Sequence, residues 1–127
     1  MNLLTIEIEA TTATPKINCD PENGRISMEG DSYPENAFEF FKDLVTWIET
    51  YLHTQTTPLT LELRLVYLNT SSIKIMMDIF EMLEEAYAKG HKVSVNWFYN
   101  SRNERVVDLA EEFKEECTFP FLITVAD

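Results

Sequence analysis

Between Leu59 and Tyr67 the chain alternates with period two: Leu59, Leu61, Leu63, Leu65 and Tyr67 fall on one side, Thr60, Glu62 and Arg64 on the other. That pattern predicts a strand with one buried and one wet face. From Ile73 the spacing becomes three and four, so that Ile73, Met76, Met77, Phe80, Leu83 and Tyr87 line one side of a helix. The junction is Asn69-Thr70-Ser71-Ser72, four residues each able to cap a helix by accepting a bond from an orphan amide. One cap needs only one of them. Lys74 follows in the first turn, where a cation opposes the helix dipole by roughly 0.3–1 kcal/mol. An anion is expected near it.

The remaining elements read in the same way. Leu4, Ile6 and Ile8 alternate with Thr5, Glu7 and Glu9 as a first strand, followed by a threonine-rich loop closed by Pro15. Lys16 to Cys19 and Arg25 to Glu29 flank the turn Asp20-Pro21-Glu22-Asn23-Gly24, which predicts a hairpin. Pro34 is expected in the first turn of a helix running to about Leu52, with Asp31, Ser32 or Tyr33 before it. Phe38, Phe41, Leu44, Val45, Ile48 and Leu52 form its stripe. Phe40, Trp47 and Tyr51 widen that stripe, either as cover for the sheet edge or as a contact surface. Ala88-Lys89-Gly90 closes the central helix. Val93, Val95, Trp97 and Tyr99 give another strand, Asn100 to Glu104 a polar loop, and Val106, Leu109, Ala110, Phe113 and Cys117 a shorter helix. Phe119 to Val125 is a last strand, with Pro120 marking an edge.

Strands that alternate with helices imply right-handed parallel crossovers. A doubly wound sheet would bury both faces and show continuous apolar strands, whereas these strands alternate. Sequential winding reconciles the two signals, because successive right-handed crossovers put every helix on one side. The expectation is a single α/β domain over residues 1–127: a one-sided βα superhelix, mostly parallel, with an N-terminal hairpin at one edge and helices on one face.

At 127 residues and 45% apolar content the chain can bury one core without metal or disulfide staples. A net charge of -12 repels phosphate backbones and anionic bilayers, so nucleic acid and membrane are not expected partners, while a basic protein patch is plausible. Cys19 and Cys117 are read as free thiols in a cytoplasmic protein, since cysteine use is sparse and no secretory apolar segment opens the sequence.

Catalytic chemistry finds little support. His53 and His91 fall at a helix end and a strand start, the cysteines lack C-x-x-C spacing, and adjacent pairs such as Glu84-Glu85 diverge on a helix. Three glycines form no phosphate-cradling loop. No cofactor, metal site or catalytic residue is assigned, although the rim acids Asp31, Glu35 and Glu104 define an alternative small-enzyme or ligand-binding reading. The hydroxyl cluster has a mechanism: a phosphoryl group at a helix N-terminus meets free amides and adds about 1.5–2 negative charges at pH 7. Against it stands the simpler reading of a helix cap with ordinary turn residues.

A strand followed by Asn-Thr-Ser-Ser opening a helix resembles the phosphoacceptor site of SpoIIAA-type anti-sigma factor antagonists, the STAS fold. More closely, GDSYPEN (Gly30 to Asn36), YLNTSSIK (Tyr67 to Lys74), MMDIFEMLEEA (Met76 to Ala86), NERV (Asn103 to Val106) and AEEF (Ala110 to Phe113) resemble the SiaC family of regulatory phosphoproteins. The resemblance implies a STAS-like, non-enzymatic switch. In that family a threonine in the LNTSS motif is phosphorylated by a SiaB-type protein kinase and dephosphorylated by a SiaA-type PP2C phosphatase, and the unmodified form activates a SiaD-type diguanylate cyclase, raising cyclic di-GMP and promoting biofilm growth; the resemblance implies the same here. The only threonine of the motif here is Thr70, with Ser71 and Ser72 as neighbours; Ser72 stands where SpoIIAA-type sites carry glycine. Asp31, Tyr33, Asn36, Asn69, Ser71 and Lys74 are expected to bind the partner, because strand C-terminal ends and helix N-termini share one rim. The alternative is an anti-sigma factor antagonist acting by partner capture.

Overall fold

The computed structural model describes residues 3–127. Six strands and three helices follow one another as β1 (Ile6–Ile8), β2 (Lys16–Asp20), β3 (Arg25–Ser32), α1 (Ala37–Thr54), β4 (Leu59–Leu68), α2 (Thr70–Ala88), β5 (Val93–Tyr99), α3 (Glu104–Glu115) and β6 (Phe121–Val125). The strands lie in one sheet in sequence order, β1 to β6. β1–β2 and β2–β3 are antiparallel; β3–β4, β4–β5 and β5–β6 are parallel.

Sequential winding is the consequence anticipated from alternation. Right-handed crossovers between neighbouring parallel strands stack α1, α2 and α3 on one face. The residues pointing there, Ile17, Ile26, Met28, Leu61, Leu63, Val95 and Trp97, are fully or almost fully buried. Thr60, Glu62, Ser94 and Asn96 on the other face are half-buried in a polar surface. There Arg25 pairs with Glu62 at 3.0 Å and Arg64 lies 4.4 Å from the centre of the Phe98 ring. The predicted hairpin is extended by β1 into a three-stranded antiparallel edge. Leu4 lies outside β1 and is exposed.

Three expectations are corrected. β3 runs to Ser32 and Asn36 caps α1 through a 3.1 Å bond from the Glu39 amide, so Pro34 precedes the helix instead of occupying its first turn. The core face of α1 is rotated towards Trp47 and Tyr51. Trp47 Nε1 donates to the Leu4 carbonyl at 2.8 Å and its ring stacks on Tyr51, so these aromatics cover the antiparallel edge, while Phe38 is 70% exposed. α2 likewise buries Ile75, Met76, Ile79, Phe80 and Leu83, leaving Met77 53% exposed.

A further correction concerns β4. Gly30 pairs with Leu65 but Asp31 pairs with Tyr67, so Val66 is an extra residue, a β-bulge. Val66 and Tyr67 both turn away from the core and Leu68 returns to it. Tyr67, expected inside, is 55% exposed at the rim. Gly30, opposite the bulge, has φ +117°, a conformation that side-chain-bearing residues rarely adopt.

Candidate functional site

β4 delivers the chain to the rim, and Asn69 starts α2. Its backbone is extended, its carbonyl accepts from the Ile73 amide at 2.9 Å, and its Oδ1 accepts from the Ser72 amide at 2.9 Å. Ser71 Oγ also donates to Asn69 Oδ1, at 3.1 Å. Asn69 is therefore the cap among the four candidates. Its own amide donates to the Ser32 carbonyl at 2.9 Å. Of the four N–H groups a helix start leaves unpaired, those of Thr70 and Ser71 remain available to an anion.

The three hydroxyls differ sharply. Ser72 is fully buried, with its Oγ 2.7 Å from Ser32 Oγ, which is equally buried. A glycine there would leave Ser32 unpaired, which gives a physical reason for the departure from the SpoIIAA-type pattern. Ser71 is exposed but tied to the cap. Thr70, the first residue of α2, is exposed.

Lys74 projects into solvent one turn along and reaches Asp78 Oδ1 at 3.8 Å. The anion expected near this cation is thus supplied, weakly, by the next turn of its own helix.

The Ser32 to Asn36 loop flanks this start. Tyr33 meets Tyr67 edge to face, with ring centres 5.9 Å apart, and both rings are exposed. Asn69 Nδ2 reaches the Pro34 carbonyl at 3.5 Å, and Asn36 caps α1 close by in the chain. Asp31 neighbours inward-facing Ser32 in β3 and so belongs to the open face of the sheet, beside Tyr67 rather than α2. On the third side Asn103 caps α3 and donates from Nδ2 to the Val66 carbonyl at 3.0 Å, fastening the bulge to the α3 start.

Tyr33, Asn69, Thr70, Ser71 and Lys74 are thereby drawn together at the starts of β4's crossover and its flanking loop. Asp31 stands on the other side of the sheet edge. Glu35 is exposed in the β3–α1 loop and Glu104 is exposed at the first position of α3, outside the polar loop expected for it, and no group of three or more histidine, cysteine or acidic side chains suited to a metal ion occurs among the described residues. Tyr67 is the rim residue that the alternation hid. The signal that pointed to it was Gly30, since a lone glycine inside a strand often marks a bulge.

Chemically, this rim brings together two exposed tyrosine rings, a cation and the exposed Thr70 at a helix N-terminus. Fold and rim define a small one-sided α/β domain built to present a surface. Comparison with known proteins makes the assignment specific. The profile of the SiaC family regulatory phosphoproteins matches residues 8–126. An uncharacterised protein of Pseudomonas aeruginosa strain UCBPP-PA14 is 54% identical over 122 residues, 96% of this chain and 97% of that one. Apo-SiaC from Pseudomonas aeruginosa superposes with a TM-score of 0.92 at 52% identity, covering 95% of this chain and 98% of that chain. A chain in the crystal structure of the Pseudomonas aeruginosa diguanylate cyclase SiaD in complex with its activator SiaC superposes with a TM-score of 0.93 at 54% identity, covering 95% and 99%. The chain belongs to the SiaC family of regulatory phosphoproteins.

Proposed function

We propose that the chain, acting over residues 1–127 as one SiaC-type domain in the cytoplasm and without catalysis of its own, is a phosphorylation-controlled activator of a diguanylate cyclase. The unmodified form docks on the cyclase through the rim; a SiaB-type kinase phosphorylates Thr70 and releases it; a SiaA-type PP2C phosphatase restores it. The observation that carries this reading is the exposed Thr70 hydroxyl at the α2 start, beside a buried Ser72 and a cap-bonded Ser71. A relative of 54% identity activating a cyclase supports the partner.

The physics of the switch lies in one added dianion. Two amides at the helix start and Lys74 stabilise it in the free protein, while a docked partner would have to desolvate it, at a cost of several kcal/mol when unpaired. Tyr33, Asn69, Ser71 and Lys74 surround the event as docking residues, and Asn36 at the α1 cap and Asp31 beside Tyr67 on the open face extend the docking surface outward from it.

The test is a titration of a purified diguanylate cyclase with the unmodified chain, the stoichiometrically phosphorylated chain, Thr70→Ala and Thr70→Asp, reading both affinity and cyclic di-GMP output. The unmodified chain and Thr70→Ala should bind and raise output; phosphorylation should weaken binding by about 100-fold or more, as a penalty near 3 kcal/mol requires. Equal affinity before and after modification would remove the proposal.

A further inference from the structure

We propose that the free edge of β6 pairs antiparallel with β6 of a second copy of this chain, forming a two-fold dimer through one continuous sheet. Pairing at this edge is independent of the Thr70 switch, which lies at the end of β4.

The sheet has two edges, and only one is blunted. β1 is three residues long and carries Glu7, and a short, charged strand is an ordinary defence against edge pairing. β6 has no such defence: Phe121 to Val125 holds no charge and no proline, and Leu122 and Val125 are 60% and 50% exposed. Its bonding groups follow from the pairing with β5. The Val95 amide donates to the Pro120 carbonyl at 3.0 Å and the Ala126 amide to the Tyr99 carbonyl at 2.8 Å. Alternate residues of a strand bond to the same neighbour, so Leu122 and Thr124 turn their amides and carbonyls to β5, and Phe121, Ile123 and Val125 turn theirs outward. β6 has no second neighbour in the sheet, and among the described residues those outward groups are left to solvent.

Such an edge is its own complement. The outward residues are spaced evenly about Ile123, so a two-fold axis beside Ile123 and normal to the sheet sets Ile123 against Ile123, and Phe121 against Val125 of the second copy, each pair exchanging both of its hydrogen bonds. Phe121, Ile123 and Val125 then continue the apolar helix-side layer across the join, while Leu122 meets Thr124 on the open face. Charge selects the same occupant. The axis keeps both helical layers on one face and sets the two α3 helices antiparallel on either side of it. On α3, Leu109, Glu112, Phe113 and Glu116 line the groove towards α2, so the opposite flank, at helical spacing, is Val107, Glu111 and Lys114. That flank is neutral in a chain of net charge -12. Its height is fixed as well: Phe113 stacks on Trp97, and Trp97 pairs with Ile123, so the axis passes α3 near Phe113. Glu111 and Lys114 straddle that point, so Glu111 of each chain faces Lys114 of the other. A second copy of an acidic chain meets opposite charges there, and β6 itself adds none.

The join is small, a five-residue strand and one helix flank, which places it among weak, exchanging interfaces. Repulsion between two chains of charge -12 opposes it and is screened by salt, whereas backbone bonds and apolar rows persist. Association therefore tightens as salt rises. The axis also reverses the strands, so the two Thr70 rims stand at opposite ends of the dimer, uncovered by the join.

The test is sedimentation equilibrium of the full chain under reducing conditions, from about 10 µM to about 1 mM protein and from about 0.02 to about 0.3 M NaCl. Amide hydrogen exchange is followed by NMR at both ends of the concentration range. A monomer–dimer equilibrium that tightens with salt is expected. The amides of Leu122 and Thr124 should be protected at every concentration, and those of Phe121, Ile123 and Val125 only in the dimer. A semisynthetic chain joined at Cys117 and carrying N-methyl-Ile123 loses the bonds at the axis and keeps every bond to β5. Its dimer should be about tenfold weaker, with unchanged melting. Lys114 is exposed, and Lys114→Glu should weaken the dimer by about fivefold. Adding Glu111→Lys returns the net charge to that of the parent and should restore the dimer. A monomer throughout, a dimer indifferent to the N-methyl group, a Lys114→Glu loss that Glu111→Lys leaves unrepaired, or an open-ended polymer such as β6 joining β1 would give, would each overturn the proposal.

Discussion

Ser32 and Ser72 are 40 residues apart in sequence and share one hydroxyl–hydroxyl bond in the core, between the end of β3 and the first turn of α2. Each single change to alanine strands a buried hydroxyl, which costs about 1–3 kcal/mol, whereas changing both removes the need for a partner. Denaturant unfolding of Ser32→Ala, Ser72→Ala and the double variant should therefore show the double loss well below the sum of the single losses. Strict additivity would mean that the pair is not coupled. The same pair explains what was legible at this scale. Capping chemistry marked Asn69-Thr70-Ser71-Ser72 as a helix start from composition alone, but the division of labour within it was set by Ser32, a contact that local sequence does not reveal.

At the scale of elements, periodicity located the strands and helices because burial on one face imposes it, and it failed where a second constraint shifted the phase. The bulge at Val66 turned Tyr67 outward, and the turn of α1 towards β1 replaced Phe38 by Trp47 and Tyr51 in the core. Asn36 rather than Pro34 begins α1 because β3 continues through Ser32, paired with Leu68 across the bulge. Elements are also fastened to one another by polar clasps remote from the rim. Glu84 on α2 accepts from the Thr118 amide at 2.8 Å and from its hydroxyl, linking α2 to the segment before β6. These bonds hold the Glu84 carboxyl below its ordinary range. A depressed folded-state value stabilises the native state above the ordinary carboxylate range, and the contribution is lost as pH falls through the lowered value. Glu84 is close to the surface, so solvent screening keeps the effect modest. Melting followed from pH 7 down to pH 3 should show a shallower acid-side decline for Glu84→Gln than for the parent; identical profiles would show that the clasp contributes nothing.

For the whole molecule, sequential winding follows from one feature, a sheet covered on one side only, and it separates groups that the sequence leaves free to meet. The net charge of -12 is carried by a small two-layer domain, so self-repulsion opposes the compact state. Raising NaCl from about 0.02 to 0.3 M shortens the Debye length from roughly 20 to 6 Å and should raise the melting temperature; a fall would assign more weight to the surface pairs Arg25–Glu62 and Lys74–Asp78. Winding also decides the fate of the thiols. Cys19 lies on β2 and Cys117 just before β6, four strand spacings of about 4.8 Å away, far beyond the roughly 7 Å limit on Cα separation for a disulfide. Both are free; burial pushes the Cys19 thiol up to about 12 and, with Glu84 and Glu116 nearby, the Cys117 thiol up to about 11. A thiol-disulfide reagent at pH 8 should accordingly modify half-buried Cys117 slowly, at a rate rising with pH, and reach Cys19 only on unfolding, when both react at once. Rapid native labelling of Cys19, or a compact monomer that relaxes on reduction, would contradict the placement of β2 and β6 at opposite flanks of the sheet.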